Sequence, residues 1–399
     1  MIDLEAILSY WSFWDKNPPE TIPREASLPE RLYANLAFTI QGVRRCGKST
    51  LLIQLMTHYK LDPKHCLYIN FEDARLIGNL DTGLLDGLLT YFRNQFSKDV
   101  PLYFFLDEIQ NVANWEKWMH TQLERPANNY FVVTGSNSAL LSGELGSSLA
   151  GRNIVQELFP FNYSEYRLSK STEHGNSDAK SNITNFLKTG GFPLAQTYHN
   201  PTELLQQYFN DIIEKDVRAR LNSPNSTPIK RVVKMLFESI GSELSLRKIA
   251  GNLGISVDTV QSYIDACELA YLVYKCPFFS YSERKRAPRN IKYYPVDTGL
   301  RRAIATQTGL DLGKDLEAAA YLNLRQRKKN IFYWKGKGEV DFVVQSNNSL
   351  VPIQVSMESP HERHFQAIEE FFAHFPQAEE PIYVGPNDLI NDFTCFDEI

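Results

Sequence analysis

The stretch at residues 40–50 reads I-Q-G-V-R-R-C-G-K-S-T, with two glycines five positions apart and Lys48, Ser49 and Thr50 directly after the second. Glycine adopts backbone conformations closed to other residues, so a loop of this kind can turn several amide N–H groups towards one anion. A lysine and a hydroxyl group after the loop can bind phosphate oxygens and Mg²⁺. The spacing therefore predicts a phosphate-binding loop (P-loop) with ATP and Mg²⁺ as cofactors.

The residues predicted to contact the nucleotide are Gly42, Arg45, Cys46, Gly47, Lys48, Ser49 and Thr50. The amides of the three residues before Lys48 should point at the phosphates, and the helix that follows adds its positive N-terminal end. We expect Lys48 to reach the β- and γ-phosphates and Ser49 or Thr50 to hold Mg²⁺.

A P-loop needs a strand before it and a helix after it, and the first half of the chain fits this requirement. Four apolar runs of strand length, at 36–40, 66–72, 102–108 and 130–136, alternate with helical patterns. Continuous β-branched and aromatic runs separated by helices indicate a parallel sheet covered on both faces. We therefore predict an α/β P-loop fold for this half.

Acidic and polar side chains end two of these runs. Asp107 and Glu108 end the third, and Ser136 ends the fourth. Because ligands bind at the carboxyl edge of open parallel sheets, these side chains should lie near the phosphates. We expect Asp107 to hold the Mg²⁺ shell and Glu108 to polarise the attacking water, which favours ATP hydrolysis over phosphoryl transfer to a metabolite. Ser136 is either a γ-phosphate sensor or a helix cap.

An arginine precedes the next predicted strand. Arg152 stands in L-A-G-R, directly before N-I-V-Q-E. A guanidinium group can neutralise charge that develops on the γ-phosphate. We therefore expect Arg152 to act in catalysis, either in its own subunit or from a neighbouring one.

The motifs G-V-R-R-C-G-K-S-T-L-L, F-F-L-D-E-I-Q, V-V-T-G-S-N-S and L-A-G-R resemble those of a widespread prokaryotic family of AAA+-type ATPases. Members of that family carry a nuclease-like C-terminal domain of unknown function. The resemblance implies an ASCE-class P-loop fold with the roles given above to Lys48, Asp107 and Glu108. Its likeness to ring-forming ATPases implies a homo-oligomer, such as a hexameric ring.

The remaining composition divides the chain into further segments. Residues 169–185 contain little that could be buried and indicate an exposed loop. We predict a P-loop ATPase domain at 1–168, a helical and winged-helix lid at 186–300, and a small α+β domain of the restriction-endonuclease type at 301–399. The G-G-F-P element at 190–193 resembles one found in the small helical domain of such ATPases, or is a plain helix–helix turn.

Residues 245–273 fit a helix-turn-helix, with Gly254 at the turn. The second helix carries Asp258, Asp265 and Glu268 but no Lys or Arg. This surface is poorly suited to a groove lined with phosphates. A lid that packs on the ATPase domain is therefore favoured over a DNA reader.

The last segment resembles the PD-(D/E)XK nuclease core, in which acids on a helix and on neighbouring strands gather Mg²⁺ and a lysine activates water. Glu317, Asp341 and Gln354 occupy the ligand positions, and Ser356 stands where the lysine belongs. An amide in place of a carboxylate and the missing lysine favour a degenerate module that binds nucleic acid or protein. An active nuclease remains the alternative, as does a structural role for Asp341.

Charge is unevenly distributed over a chain of 399 residues whose net charge is −5. Residues 281–341 contain 14 Lys and Arg against 7 Asp and Glu, whereas 358–399 contain one Arg against 10 acids. The basic block either contacts a polyanion or pairs with the acidic tail. The predicted contacts with nucleic-acid backbone are Arg284, Lys285, Arg286, Arg289 and Lys292.

The sequence gives no sign of export or of a membrane segment. The N-terminus carries acids where a signal peptide needs Lys or Arg, and no run of eighteen apolar residues occurs. The five cysteines form no C-x-x-C pair, so we expect reduced thiols in a cytoplasmic protein without a membrane partner.

Three classes of function fit these features. The favoured one is an ATPase whose nucleotide state controls how the C-terminal module engages non-specific DNA or a protein client. The alternatives are a nucleotide-gated, metal-dependent DNA nuclease and a signalling scaffold that hydrolyses ATP slowly.

Overall fold

The computed structural model describes residues 3–125, 127–136, 149, 151–171, 179–221, 223–306, 311–346, 349–397 and 399. The chain divides into two compact units, Met1–Leu158 and Phe159–Ile399. None of the helices in these described ranges combines the length and apolar composition needed to span a bilayer.

The first unit is a sheet flanked by helices. Its helices and strands are α1 (Leu4–Trp11), β1 (Ala37–Gln41), α2 (Lys48–His58), β2 (Cys66–Asn70), α3 (Thr82–Arg93), β3 (Leu102–Asp107), α4 (Trp115–Glu124), β4 (Asn129–Gly135) and β5 (Asn153–Glu157). The strands pair in the order β2-β3-β4-β1-β5, and every pairing is parallel. The parallel P-loop sheet predicted from the sequence is confirmed.

Aromatic and aliphatic side chains fill the space between this sheet and its helices. The rings of Phe104 on β3 and Phe131 on β4 stack with centroids 5.2 Å apart, and Trp118 of α4 meets Phe131 edge-on at 5.7 Å. Such pairs add to the burial of apolar area that holds each helix on the sheet. The packing fixes the strand ends where the polar residues of the motifs lie.

The second unit begins with helices and a short antiparallel ribbon. These elements are α5 (Tyr163–Ser171), α6 (Ala179–Thr189), α7 (Pro201–Asp211), a π-helical segment (Ile212–Arg218), α8 (Ala219–Leu221), α9 (Thr227–Glu238), α10 (Leu246–Leu253), α11 (Val257–Leu269), β6 (Val273–Cys276), α12 (Glu283–Arg286), β7 (Lys292–Pro295) and α13 (Thr298–Ile304). Strands β6 and β7 pair antiparallel.

The predicted helix-turn-helix corresponds to α10 and α11. Gly254 ends α10 in the left-handed conformation (φ 66°), and the Ser256 hydroxyl accepts a hydrogen bond from Thr259 N (3.0 Å) to begin α11. Two of the acids on α11, Asp265 and Glu268, each lie 2.7 Å from the ammonium of Lys275 on β6. These carboxylates therefore serve contacts within the second unit.

The segment predicted as an exposed loop, 169–185, differs from the structure at both ends. Helix α5 runs to Ser171 and α6 begins at Ala179, while residues 172–178 lie outside the described residues. Helix α6 forms because Ile183, Phe186 and Leu187 recur at helical spacing and are buried. The prediction of a loop relied on the polar composition of 169–185 and did not take this apolar face into account.

The G-G-F-P element is a site of close backbone approach. A Cβ atom on Gly190 would lie 2.1 Å from Oδ1 of Asp297, and one on Gly191 would lie 2.0 Å from the carbonyl oxygen of Phe161. Asp297 Oδ2 accepts a hydrogen bond from Gly191 N (2.6 Å). Side chains larger than hydrogen would clash at both positions, so the glycines are required for packing.

The C-terminal part of the second unit is a four-stranded sheet with helices around it. Its elements are α14 (Leu312–Gln326), β8 (Asn330–Lys335), β9 (Glu339–Ser346), β10 (Ser349–Val355), α15 (Glu362–His374), β11 (Ile382–Val384) and α16 (Pro386–Ile390). The strand order is β11-β10-β9-β8, with β8, β9 and β10 antiparallel and β11 parallel to β10.

Candidate nucleotide-binding site

The P-loop connects the end of β1 to the start of α2. Gly42 (φ 155°) and Gly47 (φ 104°) adopt backbone conformations that favour glycine. A Cβ atom on Gly42 would lie 2.1 Å from the carbonyl oxygen of Leu158, whose own amide donates to Gln41 O (2.6 Å). The backbone of Leu158, directly after β5, therefore leaves no room for a side chain at Gly42, the first glycine of the motif.

Lys48 is held in the concave side of this loop. Its ammonium donates to the carbonyl oxygens of Gly42 (3.1 Å) and Val43 (3.2 Å) and lies 3.7 Å from Oε1 of Glu108. The lysine side chain is buried. The P-loop lysine and the carboxylate after β3, which the sequence places 60 positions apart, thus meet at one point.

Asp107 is the most heavily hydrogen-bonded carboxylate of the site. Its oxygens accept from Tyr68 OH (2.9 Å), Asn70 Nδ2 (3.0 Å) and the Thr134 hydroxyl. Burial raises the pKa of Asp107, while hydrogen bonds from Ser49 and Thr134 oppose that shift. The contact between Ser49 and Asp107 unites the two side chains predicted to hold Mg²⁺.

The donor set of Ser49 and Asp107 fits Mg²⁺. Both supply hard oxygen ligands, and Mg²⁺ in nucleotide sites uses one or two carboxylates together with water and phosphate oxygens. Within the described ranges no group of three or more His, Cys, Asp or Glu residues could hold a metal ion by itself.

Glu108 occupies a strained position beside Asp107. Its backbone is left-handed (φ 55°), and its amide donates to Thr134 Oγ1 (2.9 Å). Burial alone would raise the pKa of Glu108, but Lys48, a hydrogen bond from Gln110 and Arg44 hold it below its ordinary value. Glu108 is therefore ionised at neutral pH and able to accept a proton.

Three other predicted residues of the first unit are placed as follows. Thr50 lies in the first turn of α2, and Ser136 is buried directly after β4, which separates β1 from β3. The expectation for the Cys46 amide is not met, because this N–H donates to Val43 O (3.3 Å) within the turn of the loop. The Cys46 thiol is buried and donates to Leu158 O (3.3 Å).

Arg152 lies at the opposite edge of the sheet from the P-loop. Its carbonyl oxygen accepts from Ala37 N (2.9 Å) at the start of β1, and its side chain lies 3.3 Å from Glu124. The five residues of β1 separate this edge from the loop by about 17 Å. A catalytic role in its own subunit does not fit this position, whereas a role in a neighbouring subunit stays a prediction.

Sequence reasoning missed the residues that hold the two carboxylates. Tyr68 and Asn70 on β2 and Thr134 on β4 contact Asp107, and Arg44 pairs with Glu72 across this edge. Asn70 and Thr134 both lie near the carboxyl ends of predicted strands. Their position at the strand ends was the sequence feature that could have identified them as site residues.

The acids predicted to bind metal in the C-terminal part do come together. Glu317 lies on α14, Asp341 on β9 and Gln354 on β10, next to Val355, whose amide donates to Asp341 Oδ2 (2.8 Å). Burial, followed by the nearby Glu317 carboxylate, raises the pKa of Asp341 to about 8. Asp341 is therefore largely protonated at neutral pH, which weakens it as a metal ligand.

A lysine occupies the centre of this cluster, and this corrects the prediction that Lys292 contacts nucleic acid. Lys292 is fully buried, donates to Glu339 Oε1 (2.6 Å) and lies 3.8 Å from Glu317 Oε1. Burial opposes its charge, but Glu317, Glu339 and Asp341 raise the pKa of Lys292. Its ammonium lies among the carboxylates that the sequence assigned to a metal ion, and Ser356 lies beyond β10.

The other predicted nucleic-acid contacts divide into two groups. Arg286 pairs with Glu283 and lies over Phe332, and the Arg289 guanidinium lies 4.5 Å from the centroid of the Phe278 ring. Arg284 and Lys285 are exposed. Arg289 is exposed too, but a phosphate contact from Arg286 or Arg289 would compete with the interactions just described.

Three family models match the chain in succession. They are an AAA domain at residues 34–167, a domain of unknown function (DUF8612) at 180–312 and a second domain of unknown function (DUF4143) at 312–393.

Two relatives align with most of the chain. An uncharacterized protein of Methanocaldococcus jannaschii is 32% identical over 363 residues, which cover 85% of this chain and 79% of the relative. An uncharacterized protein of Haemophilus influenzae is 29% identical over 336 residues, 82% of this chain and 83% of the relative.

Solved structures show remote similarity. The Walker-type ATPase PABY2304 of Pyrococcus abyssi has 13% identity and a TM-score of 0.45, over 67% of this chain and 90% of that one. The Aeropyrum pernix ORC1 protein in complex with DNA has 13% identity and a TM-score of 0.31, over 67% and 86% of the two chains.

Proposed function

The chain belongs to one family with the uncharacterized protein of Methanocaldococcus jannaschii and carries an AAA domain, and from this premise we propose that it binds ATP with Mg²⁺ and hydrolyses it. One observation carries the proposal. Lys48 and Ser49 from the P-loop and the Asp107–Glu108 pair from the end of β3, two separate parts of the chain, converge at the carboxyl edge of a parallel sheet.

Each residue has a distinct task in this proposal. Lys48 would bind the β- and γ-phosphates, and Ser49 with Asp107 would hold Mg²⁺, which when bound neutralises charge on the phosphate oxygens. Glu108 would orient a water molecule and accept its proton, since Lys48 and Arg44 keep this carboxylate ionised. Tyr68, Asn70 and Thr134 contact Asp107 and would fix its orientation.

Two substitutions separate binding from hydrolysis. Lys48→Ala should abolish binding of a fluorescent ATP analogue, because the phosphates lose their main cation. Glu108→Gln should preserve binding and lower turnover at least about 100-fold, because the amide cannot accept the proton. Lys64→Ala, an exposed lysine before β2, is the matched control. Equal turnover by Glu108→Gln and the parent would contradict the assignment.

We further infer that the nucleotide state of the AAA domain controls how the C-terminal domain engages non-specific DNA or a protein client. The exposed Arg284 and Lys285 support a polyanion contact. The buried Lys292 argues against metal-dependent cleavage, because its ammonium already pairs with Glu339 and lies 3.8 Å from Glu317. Fluorescence anisotropy of labelled DNA with Glu108→Gln, in ATP against ADP, tests the coupling. Equal affinity in both nucleotides would contradict the coupling, and no binding in either would favour a protein client.

A further inference from the structure

An arginine of the P-loop itself makes an ion pair outside the loop. Arg44 NH1 lies 2.8 Å from Glu72 Oε1, and the two residues are 28 positions apart in the chain. The Arg44 side chain is 11% exposed and that of Glu72 48% exposed. The guanidinium is thus largely enclosed while its partner faces solvent.

The sheet order determines where this pair must lie. Arg44 follows β1 and Glu72 follows β2, and strands β4 and β3 lie between them. Strands β1 and β2 are three strand spacings apart, which amounts to about 14 Å. For the two side chains to meet, they must extend towards each other along the carboxyl edge, past the ends of β4 and β3. Asp107 and Glu108 stand at the end of β3. The Arg44 guanidinium is close enough to Glu108 that its charge contributes to the lowered pKa of that carboxyl.

An ordinary surface ion pair has a different geometry. Arg75 and Asp73 lie two positions apart in one turn, with the arginine side chain 45% exposed, and their contact needs no tertiary structure. The pair of Arg44 and Glu72 forms only once β1 and β2 are in one sheet. Its position at the nucleotide edge distinguishes it from the local pair.

Resting on the proposed ATPase function, we propose that Arg44 is a catalytic residue that contacts the γ-phosphate of ATP in its own subunit. Glu72 is a positioning residue that holds the guanidinium at this edge and competes with the phosphate for it. Because Arg152 lies at the opposite edge, Arg44 is the arginine that can add, within one chain, to the positive charge that Lys48 places on the phosphates.

The chemistry assigned to Arg44 is charge neutralisation. The water oxygen forms a bond to the γ-phosphorus, and the bond from that phosphorus to the bridging oxygen breaks, with its electron pair leaving on ADP. The water proton passes to Glu108 and then to the departing inorganic phosphate. Arg44 stabilises the negative charge on the phosphoryl oxygens during this step, and it is not consumed.

The contacts predict different effects for the two partners. Arg44→Ala should lower kcat at least about 100-fold and abolish any preference for ATP over ADP, while the Kd for ADP changes less than about 3-fold. Arg44→Lys should keep part of the preference, since it retains the charge but not the fork of donors. Glu72→Gln should tighten ATP binding several-fold with little change for ADP, because the competing carboxylate is removed. Arg75→Ala is the control and should match the parent.

The experiment is a titration of the full chain with fluorescent ATP and ADP analogues, together with steady-state hydrolysis. Unchanged kcat and an unchanged ATP-to-ADP ratio in Arg44→Ala would overturn this inference while Lys48-dependent ATP binding still upheld the ATPase. If the parent binds no ATP, both proposals fail. If the parent binds ATP without hydrolysing it, the ratio of ATP affinity to ADP affinity in Arg44→Ala, compared with that of the parent, tests the role of Arg44. If Arg44→Ala does not fold, Arg44→Lys and Glu72→Gln are measured in its place. An unchanged ratio of ATP affinity to ADP affinity in both variants would refute the inference.

Discussion

Lys292 and Glu339 form an ion pair inside the second unit, with Nζ of the lysine 2.6 Å from Oε1 of the glutamate. The lysine side chain has no exposed area, and Glu317 lies 3.8 Å from the same ammonium. Tyr294 OH donates to Glu317 Oε1 (2.6 Å). The ammonium of Lys292 on β7 thus links Glu317 on α14 to Glu339 on β9. We expect this group of three side chains to depend on the positive charge of the lysine.

Removal of the lysine should therefore destabilise the second unit strongly. Lys292→Met removes the buried ammonium between Glu317 and Glu339, and the loss of one partner of a buried pair costs about 3 kcal/mol or more. Lys335→Met removes a more exposed lysine that also contacts Glu339 and should cost under about 1 kcal/mol. Hydrogen exchange of the amides in β8, β9 and β10 measures both effects. Equal losses for the two variants would contradict the structural role of Lys292.

The protonated state of Asp341 gives the second unit a dependence on pH. Burial raises the pKa of Asp341 from 3.8 to about 8, so the unfolded chain loses this proton at lower pH than the folded one. The associated stability is fully present below about pH 4 and is lost as pH rises towards 8. Asp341→Asn keeps an oxygen to accept from Val355 N and does not ionise.

The stability of Asp341→Asn relative to the parent should therefore increase from about pH 5 to about pH 8 and then level off. Denaturant unfolding at several pH values, followed by hydrogen exchange in β9, measures this difference. Glu380→Gln, at an exposed position, should show no such trend. A constant difference between Asp341→Asn and the parent across this range would mean that Asp341 is already ionised in the folded protein.

The parallel sheet of the first unit could be predicted because its signals are local. Strands β1 to β4 are short apolar runs separated by helices, and the residues that matter for chemistry directly follow strands or glycines. Asp107 and Glu108 needed only the end of β3 to be located. The contact of Lys48 with Glu108 then follows from the shared edge of a parallel sheet.

Lys292 and Arg152 could not be placed from sequence, for a different physical reason. A lysine in a basic stretch is expected at the surface, and its burial depends on a carboxylate 47 positions further along the chain. The position of Arg152 depends on strand direction, since a residue that begins a parallel strand lies at the edge away from the ligand. Neither tertiary pairing nor strand order has a local signature in these segments.

Arg152 provides a test of assembly. If this arginine completes the site of a neighbouring subunit, turnover per subunit should increase with protein concentration, and Arg152→Ala mixed with Glu108→Gln should recover part of the activity. Arg125→Ala, an exposed arginine at the end of α4, is the matched control and should not complement. Turnover that is independent of concentration, with a monomer by light scattering in ATP, would exclude this role.

The exposed cations of α12 should determine any binding of nucleic acid. Among the residues that the structure describes, none gives Arg284 or Lys285 an aromatic or carboxylate contact comparable to those of Arg286 and Arg289, so their replacement by Ser should leave the fold intact. Contacts from such side chains are to phosphate, and binding should be insensitive to base sequence. Each lost contact should flatten the log–log dependence of affinity on salt by roughly 0.7 to 0.9.

The comparison that decides this prediction uses two double variants of the full chain. Arg284→Ser with Lys285→Ser should weaken DNA binding uniformly across sequences, whereas Arg247→Ser with Lys248→Ser removes two exposed cations of α10 and should have little effect. Anisotropy titrations at about 50 mM salt give the affinities under conditions where phosphate contacts are strongest. A larger loss of DNA affinity in the α10 variant would indicate that the helix-turn-helix, and not α12, contacts the DNA. If the parent binds neither single- nor double-stranded DNA in ATP, a protein client is favoured, and cations of the basic block such as Lys292, Arg301 and Arg327 then serve their internal pairs with Glu339, Asp315 and Asp397.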